Sequence, residues 1–139
     1  MATRKISYGT TSDITPSGLN SLANGSSVDT AAQSNTTNLA IDYLITIGIA
    51  GTASSTARVD IYLLASQDGT NFDVQQSAKQ GSSIMLSASP QQRTYSLLTD
   101  FNLGSVPQSF KIRVVNNTGA SLGSSGNTIK ITPVFETIT

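Results

Sequence analysis

The chain has 139 residues, with eight basic and eight acidic side chains and no His, Cys or Trp. His and Cys are the side chains that most readily act as general base, nucleophile or transition-metal ligand near neutral pH, so their absence disfavours an enzyme. A net charge of zero gives no overall field that attracts nucleic acid or an anionic membrane, so we expect neither as a partner.

The first predicted element is a flexible N-terminal arm over residues 1–18, ahead of a single domain over residues 19–139. The arm is rich in Thr, Ser and Gly and is too polar to fold alone. Its basic residues precede no apolar segment, so we expect no secretory signal and synthesis in a cytosol. No apolar stretch approaches the roughly 20 residues of a membrane-spanning helix.

Two interpretations of the arm are open. It is either a frayed terminus or an extended strap that docks on a neighbouring subunit by strand addition. In the second interpretation Ile6 and Tyr8, which alternate as in a short strand, anchor the arm. Arg4 and Lys5 then pair with acidic groups of the partner, and these four residues are the predicted partner-binding site.

Four segments alternate apolar and polar residues strongly enough to predict half-buried β-strands. They are residues 39–49, 57–65, 110–114 and 129–135, with weaker strands expected at 19–30, 71–76, 84–89 and 93–101. Pro133 has no amide proton, so the last strand suits a sheet edge or a bulge. The apolar faces predict a buried core that includes Ile41, Ile45, Ile47, Ile61, Leu63, Phe110, Ile112 and Ile131.

Turn residues separate these segments, and no window repeats apolar residues at helical spacing. The turns are Asn24-Gly25, Asp68-Gly69, Pro90, Asn117-Thr118-Gly119 and Gly126-Asn127. A single helical turn fits best within residues 26–38, although the β-branched and Asn content there favours a loop. About eight short strands at this spacing predict an all-β fold, a single jelly-roll-like antiparallel β-sandwich. A closed up-and-down barrel is the alternative.

The segment from Asp68 to Asp73 resembles a calcium-binding loop only superficially. An EF-hand loop places Gly at its sixth position and Glu at its twelfth, whereas here Gly is second and the twelfth residue is Lys79. An Asp-Gly hairpin turn that leads into a strand at Phe72 explains the segment better.

Asp42 and Asp60 are the best candidates for a glycosidase pair, which needs two carboxyl groups across a sugar cleft. They form such a pair only if their strands are neighbours. Each also fits an ordinary solvated strand residue, with Arg58 or Arg93 as its ionic partner.

Lys111, Arg113 and Lys130 are candidates for a basic stripe near Tyr62, if the strand of Lys130 is adjacent. A nucleic-acid site also needs aromatic side chains on which bases stack, and no run of them is present. Outward basic residues of this kind commonly protect sheet edges from aggregation. An outward Tyr62 is the one aromatic group that suits stacking of a sugar ring.

A succession of strand and turn motifs runs through residues 19–135. The motifs are Leu22-Ala23-Asn24-Gly25-Ser26, Asn38-Leu39-Ala40-Ile41-Asp42-Tyr43, Val59-Asp60-Ile61-Tyr62-Leu63-Leu64-Ala65-Ser66, Asp68-Gly69-Thr70-Asn71-Phe72, Leu103-Gly104-Ser105-Val106-Pro107 and Asn116-Asn117-Thr118-Gly119. In order and spacing they resemble small virion structural proteins of tailed bacteriophages, especially capsid cement or decoration proteins.

The resemblance implies a jelly-roll-like domain that forms a homotrimer on the outer capsid surface and binds the major capsid protein. It also implies synthesis in the host bacterial cytoplasm, localisation to the virion, and no catalytic residues or cofactor. Related modules occur in head fibres, tails and baseplates. The alternative is therefore a fibre or tail protein, or a carbohydrate-binding receptor module with a glycan as its partner.

Overall fold

The computed structural model describes all 139 residues and is all-β, with 42% of residues in strands and 3% in helix. The elements in chain order are β1 (Arg4–Tyr8), β2 (Ser12–Asp13), β3 (Ser27–Asp29), β4 (Gln33–Ser34), β5 (Asp42–Ile49), β6 (Arg58–Ser66), β7 (Lys79–Gln80), β8 (Ile84–Met85), β9 (Gln91–Ser96), α1 (Leu97–Asp100), β10 (Ser109–Asn117) and β11 (Thr128–Ile138). None of its helical structure is long and apolar enough to span a membrane.

The strands form two antiparallel sheets, one of them strongly curled. The first sheet has the order β1-β11-β5-β9, with β2 also paired to β11, and the second has the order β3-β10-β6-β7, with β4 on β10 and β8 on β6. β1 and β2 pair with the same strand and count as one interrupted strand, as do β3 with β4 and β7 with β8. The eleven strands then count as eight, and when these eight are renumbered along the chain the sheets have the orders 1-8-3-6 and 2-7-4-5. That order is a jelly roll, so the predicted fold class is confirmed. The arm supplies its first strand, and the domain boundary at residue 18 stays a prediction.

The core lies between the two sheets and is built from the inward positions of alternating strands. In the first sheet Ile45 pairs with Ile131, and in the second Phe110 and Ile112 point inward from β10. The ring of Tyr43 meets that of Phe110 edge-on, with centroids 5.3 Å apart, which joins the two sheets. The predicted core residues that are buried are Ile45, Ile47, Ile61, Leu63, Phe110, Ile112 and Ile131.

Ile41 is the one predicted core residue that is wrong, because 39% of its surface is exposed. The chain enters β5 only at Asp42, three residues later than the alternation predicts. Leu39 has a φ of +49°, a left-handed conformation that an extended strand does not contain. The alternating pattern therefore runs back into a turn, where its apolar residues face solvent.

The weaker strand predictions are only partly correct. The strand predicted at 19–30 is present only over residues 27–29, and the one predicted at 84–89 only over residues 84–85. No strand forms within residues 71–76. The predicted strand at 93–101 ends at Ser96, whose hydroxyl accepts a hydrogen bond from the Thr99 amide at 3.3 Å and caps α1. The helical turn is therefore at 97–100, whereas the segment 26–38 holds β3 and β4.

Pro133 lies in a strand that is paired on both sides, so of the two predicted alternatives the sheet edge is wrong. The bulge is present, because Tyr8 lies opposite Val134 and Ser12 opposite Ile131, which leaves one extra residue in the arm. The Pro133 carbonyl accepts a hydrogen bond from the Gly9 amide at 2.9 Å, so the missing N–H of this residue also faces the arm, at the break between β1 and β2. A Cβ on Gly9 would lie 2.7 Å from the Pro133 ring and 2.9 Å from Phe135. Glycine therefore allows the arm to approach β11 at this point.

Buried amides hold the loops at one end of the sandwich. Asn116 is fully buried, and its side-chain nitrogen donates hydrogen bonds to the carbonyls of Leu22 and Ala120, both at 2.8 Å. Asn127 accepts a bond from the Ala50 amide at 2.8 Å. These bonds tie the backbone of three loops to two buried side chains and satisfy the polar atoms of those side chains.

Candidate interaction surfaces

β1 and the end of β11 form a two-stranded ribbon, here called the terminal ribbon (Arg4–Tyr8 with Val134–Ile138). β1 pairs with β11 as far as Ile138, whereas β5 pairs with it only as far as Val134. Beyond Val134 the ribbon therefore has no neighbouring strand on the β5 side. All five residues of β1 are exposed, which shows that the ribbon extends past the sandwich core.

The structure places all four predicted site residues in the terminal ribbon. Ile6 and Tyr8 lie on one face and are 54% and 65% exposed. Arg4 shares that face and forms an ion pair with Glu136, and Lys5 lies on the opposite face across from Thr137. In the single chain the arm adds to its own sheet, and docking on a neighbouring subunit stays a prediction.

Sequence reasoning missed the second strand of this surface. Ile138 lies on the same face as Ile6 and is 65% exposed, and Val134 is buried beside Tyr8. The available signal was weak, because Val134 and Ile138 lie on the face opposite to Ile131 and Phe135, with the charged Glu136 between them. The predicted strand ended at residue 135, so this face was not recognised.

The outer face of the second sheet carries a different kind of surface. The Lys111 ammonium group lies over the Phe72 ring, 4.4 Å from its centroid, beside an open groove of about 570 Å³. Arg113 donates two hydrogen bonds to Asp29, at 2.6 and 2.9 Å, which raise the pKa of the guanidinium group. Tyr62 lies opposite Arg113 and is partly exposed.

The predicted basic stripe is wrong. Lys130 belongs to β11 in the first sheet, whereas Lys111 and Arg113 belong to β10 in the second. The charge of Arg113 is also neutralised by Asp29. What remains is a single unpaired cation beside an aromatic ring.

Asp42 and Asp60 do not face each other, because β5 and β6 lie in different sheets. Asp42 accepts hydrogen bonds from the Ser96 hydroxyl at 2.7 Å and the Leu98 amide at 3.1 Å, which anchors α1. The condition for a glycosidase pair, that the two strands are neighbours, is therefore not met.

Asp60 is buried on the outer side of β6 and has partners within the chain. It accepts hydrogen bonds from the Ser83 hydroxyl at 2.5 Å and from the side-chain nitrogen of Asn117 at 2.6 Å. Its ionic partner is Arg58, one of the two predicted candidates, whose Nε lies 3.3 Å from the Asp60 carboxylate. The other candidate, Arg93, lies over the ring of Tyr95.

The Asp68 loop is held by its own carboxylate. The oxygens of Asp68 accept hydrogen bonds from the Asn71 amide at 2.8 Å, the Asn71 side chain at 2.7 Å, the Thr70 amide at 2.8 Å and the Ser66 hydroxyl at 2.9 Å. These bonds, those from Asn71 first, lower the pKa of the Asp68 carboxyl group. Gly69 makes the expected turn with a φ of +76°, but no strand follows at Phe72, so the predicted hairpin is wrong.

Most carboxylates of the sandwich thus have hydrogen-bonding partners of their own. The terminal ribbon groups three exposed large apolar side chains, Ile6, Tyr8 and Ile138, and the turn before β5 exposes Leu39 and Ile41. No three acidic side chains converge on one point. No protein-family model matches the chain, and no curated protein matches it.

Proposed function

We propose that this protein is a capsid cement, or decoration, protein of a tailed bacteriophage. In this role it is a non-enzymatic virion structural protein that binds the major capsid protein on the outer surface of the head, as a homotrimer. The proposal is carried by the succession of motifs across residues 19–135, which resembles such proteins in order and spacing. The jelly-roll strand order is the one that the resemblance implies.

The distribution of exposed groups suits this role. A cement protein gains its binding energy from contacts that form only in the assembled shell, where many coat subunits present the same site. It needs a stable scaffold with shape-complementary apolar contacts more than it needs polarised chemistry. The terminal ribbon offers such contacts through Ile6, Tyr8 and Ile138, on a face where Arg4 is already paired with Glu136.

The direct experiment is reconstitution on shells assembled from the major capsid protein of the same genome. The purified protein should bind saturably, at a fixed ratio to coat subunits, and raise the temperature at which the shells break. Cryo-electron microscopy should place its density on the outer surface. A folded protein that shows no saturable binding to the shells contradicts the proposal.

The homotrimer is tested separately from capsid binding. Multi-angle light scattering at micromolar concentration should give three times the 14.5 kDa chain mass. Subunit counting on decorated shells should give groups of three. A 14.5 kDa species in solution together with single copies on the shell contradicts the trimer.

A carbohydrate-binding receptor module is the second candidate, favoured by the groove on the second sheet. Phe72 and Tyr62 lie on that face with Lys111, and sugar rings stack on aromatic side chains that have polar groups around them. A glycan array is the test. Signal that is lost in both Tyr62→Ala and Phe72→Ala, but kept in Tyr8→Ala, would support this candidate over the cement protein.

A further inference from the structure

The outer edge of β1 is an unpaired strand edge with a defined hydrogen-bonding register. Thr3 and Thr139 exchange both of their backbone hydrogen bonds, at 2.8 and 3.0 Å. In an antiparallel pair such exchanges recur at every second residue, so the amides and carbonyls of Arg4, Ile6 and Tyr8 point away from β11. No other strand pairs with β1 on that side.

The other edges of the two sheets are less suited to pairing. On the second sheet they consist of strands of two or three residues, which is one way in which proteins block edge pairing. On the first sheet the opposite edge is β9, where the Ser96 amide is already bound to Asp100 at 2.7 Å. β1 offers outward backbone groups on three exposed residues, whereas the end of β11 beyond Val134 offers them on two, and β9 exposes only polar side chains at residues 92–94. β1 is therefore the edge best suited to pairing.

We infer that β1 pairs antiparallel with β1 of a second copy of this chain, across a two-fold axis at Ile6. In this register Ile6 lies opposite Ile6 of the second copy, and Arg4 lies opposite Tyr8. Arg4, Ile6 and Tyr8 carry the outward backbone groups, and each of them lies opposite one of these three residues in the second copy. Each opposed pair can therefore exchange two hydrogen bonds. The contact is isologous, with the same patch used by both copies.

The side chains are compatible with this register. On the apolar face the two Ile6 side chains meet, and each Arg4 lies opposite a Tyr8 ring, an arrangement that favours a cation–π contact. On the other face Lys5 lies opposite Ser7, so no like charges are directly opposed. Lysine and arginine often protect strand edges, but the charge of Arg4 is already neutralised by Glu136.

The contact is small, with one five-residue strand from each copy, so we expect it to be weak in dilute solution. The contact forms where many copies are held close together, because the high local concentration of β1 then compensates for its weak affinity. It neither requires nor excludes the proposed homotrimer, since it can join copies from different trimers. It also does not rest on capsid binding, and it can be tested without capsids.

Single-cysteine variants test the register directly, because the natural chain has no Cys. In Ile6→Cys the two thiols lie on directly opposed residues, about 5.5 Å apart at Cα, a distance that a disulfide spans. Tyr8→Cys is the matched control, since Tyr8 is equally exposed but its copies lie about 14 Å apart in this register. Under mild oxidation Ile6→Cys should give a dimer about tenfold faster than Tyr8→Cys, and a mixture of Arg4→Cys with Tyr8→Cys should also cross-link.

Equal cross-linking rates for Ile6→Cys and Tyr8→Cys would overturn the inference, as would a failure of both to cross-link at high protein concentration. Charge variants provide a second measurement. Ile6→Asp and Ile6→Lys should each abolish the association of the natural protein beyond its basal oligomer at high concentration, because like charges are then directly opposed, and mixing them should restore it. Association beyond that oligomer that persists in either variant alone contradicts the two-fold at Ile6.

Discussion

Ile45 and Ile6 are both isoleucines on alternating strands of the same sheet, yet Ile45 is fully buried and Ile6 is 54% exposed. The second sheet covers Ile45, where the Tyr43 and Phe110 rings meet across the sandwich. Ile6 lies opposite Glu136 on the other face of this sheet, because Ile131 and Phe135 of β11 point to the core, so an identical side chain faces solvent. Alternation therefore defines the faces of a strand, whereas the packing of the sheets decides which of these faces is used for folding and which remains for binding.

The largest difference between the two regions should appear when apolar side chains are truncated. Phe110→Ala and Ile45→Ala should each lower the free energy of unfolding by about 2–5 kcal/mol, through lost transfer energy and a residual cavity. Ile6→Ala and Tyr8→Ala should change it by only about 0.5 kcal/mol or less, because these side chains are exposed. Urea denaturation of the four variants measures both effects. A loss of equal size in core and ribbon would contradict the comparison.

Alkaline titration sharpens the description of the core. Burial raises the pKa of Tyr95 to about 12, and its hydroxyl donates a hydrogen bond to the Ser82 carbonyl at 2.5 Å. The folded-state pKa is above the unfolded value of about 10, so the neutral hydroxyl group contributes to stability below pH 10. This contribution is lost as the pH rises to 12. The free energy of unfolding should fall by on the order of 2 kcal/mol over this range.

Tyr95→Phe removes the ionising hydroxyl group and should reduce that alkaline slope. Part of the slope should remain, because burial also raises the pKa of Tyr43. Tyr8→Phe is the matched control on the ribbon, and it should leave the slope unchanged because Tyr8 is exposed. If both variants keep the slope of the natural protein, Tyr95 is not the group responsible.

The smallest effect is expected in the Asp68 loop, which lies outside both regions. Hydrogen bonds from Asn71, Thr70 and Ser66 lower the pKa of Asp68, so its contribution is present above pH 4 and is lost as the pH falls through the lowered value. Asp68→Ala should slightly lower the free energy of unfolding at pH 7. It should also make that free energy change less as the pH falls below 4. An unchanged acid profile in Asp68→Ala would show that these bonds contribute nothing measurable.

Residue alternation was sufficient to predict the fold class and nearly all of the named core. It failed at Ile41 because the left-handed conformation of Leu39 turns the chain before β5, and such a turn leaves no period-two signal. It also failed at α1, which has only four residues and depends on the Ser96 cap.

The partner of the arm is the part that sequence reasoning left open. Ile6 and Tyr8 were predicted as anchors from their spacing alone, but a five-residue strand carries no signal that specifies which strand it pairs with. Pairing of β1 with β11 is a long-range contact set by topology, over 120 residues apart in sequence. For the same reason the sequence left open whether Lys130 lies beside Lys111, and the structure places them in different sheets.

The central claim is that a stable sandwich presents the terminal ribbon to the capsid shell. The most direct test is to measure how much of the double variant Ile6→Ser/Tyr8→Ser binds to shells. The variant should keep the stability of the natural protein, because both side chains are exposed, and should bind shells at least about tenfold more weakly, or about 1.4 kcal/mol. Val74→Ser, which alters a similarly exposed apolar residue outside the ribbon, should bind as the natural protein does. Full occupancy by the folded double variant would contradict the account.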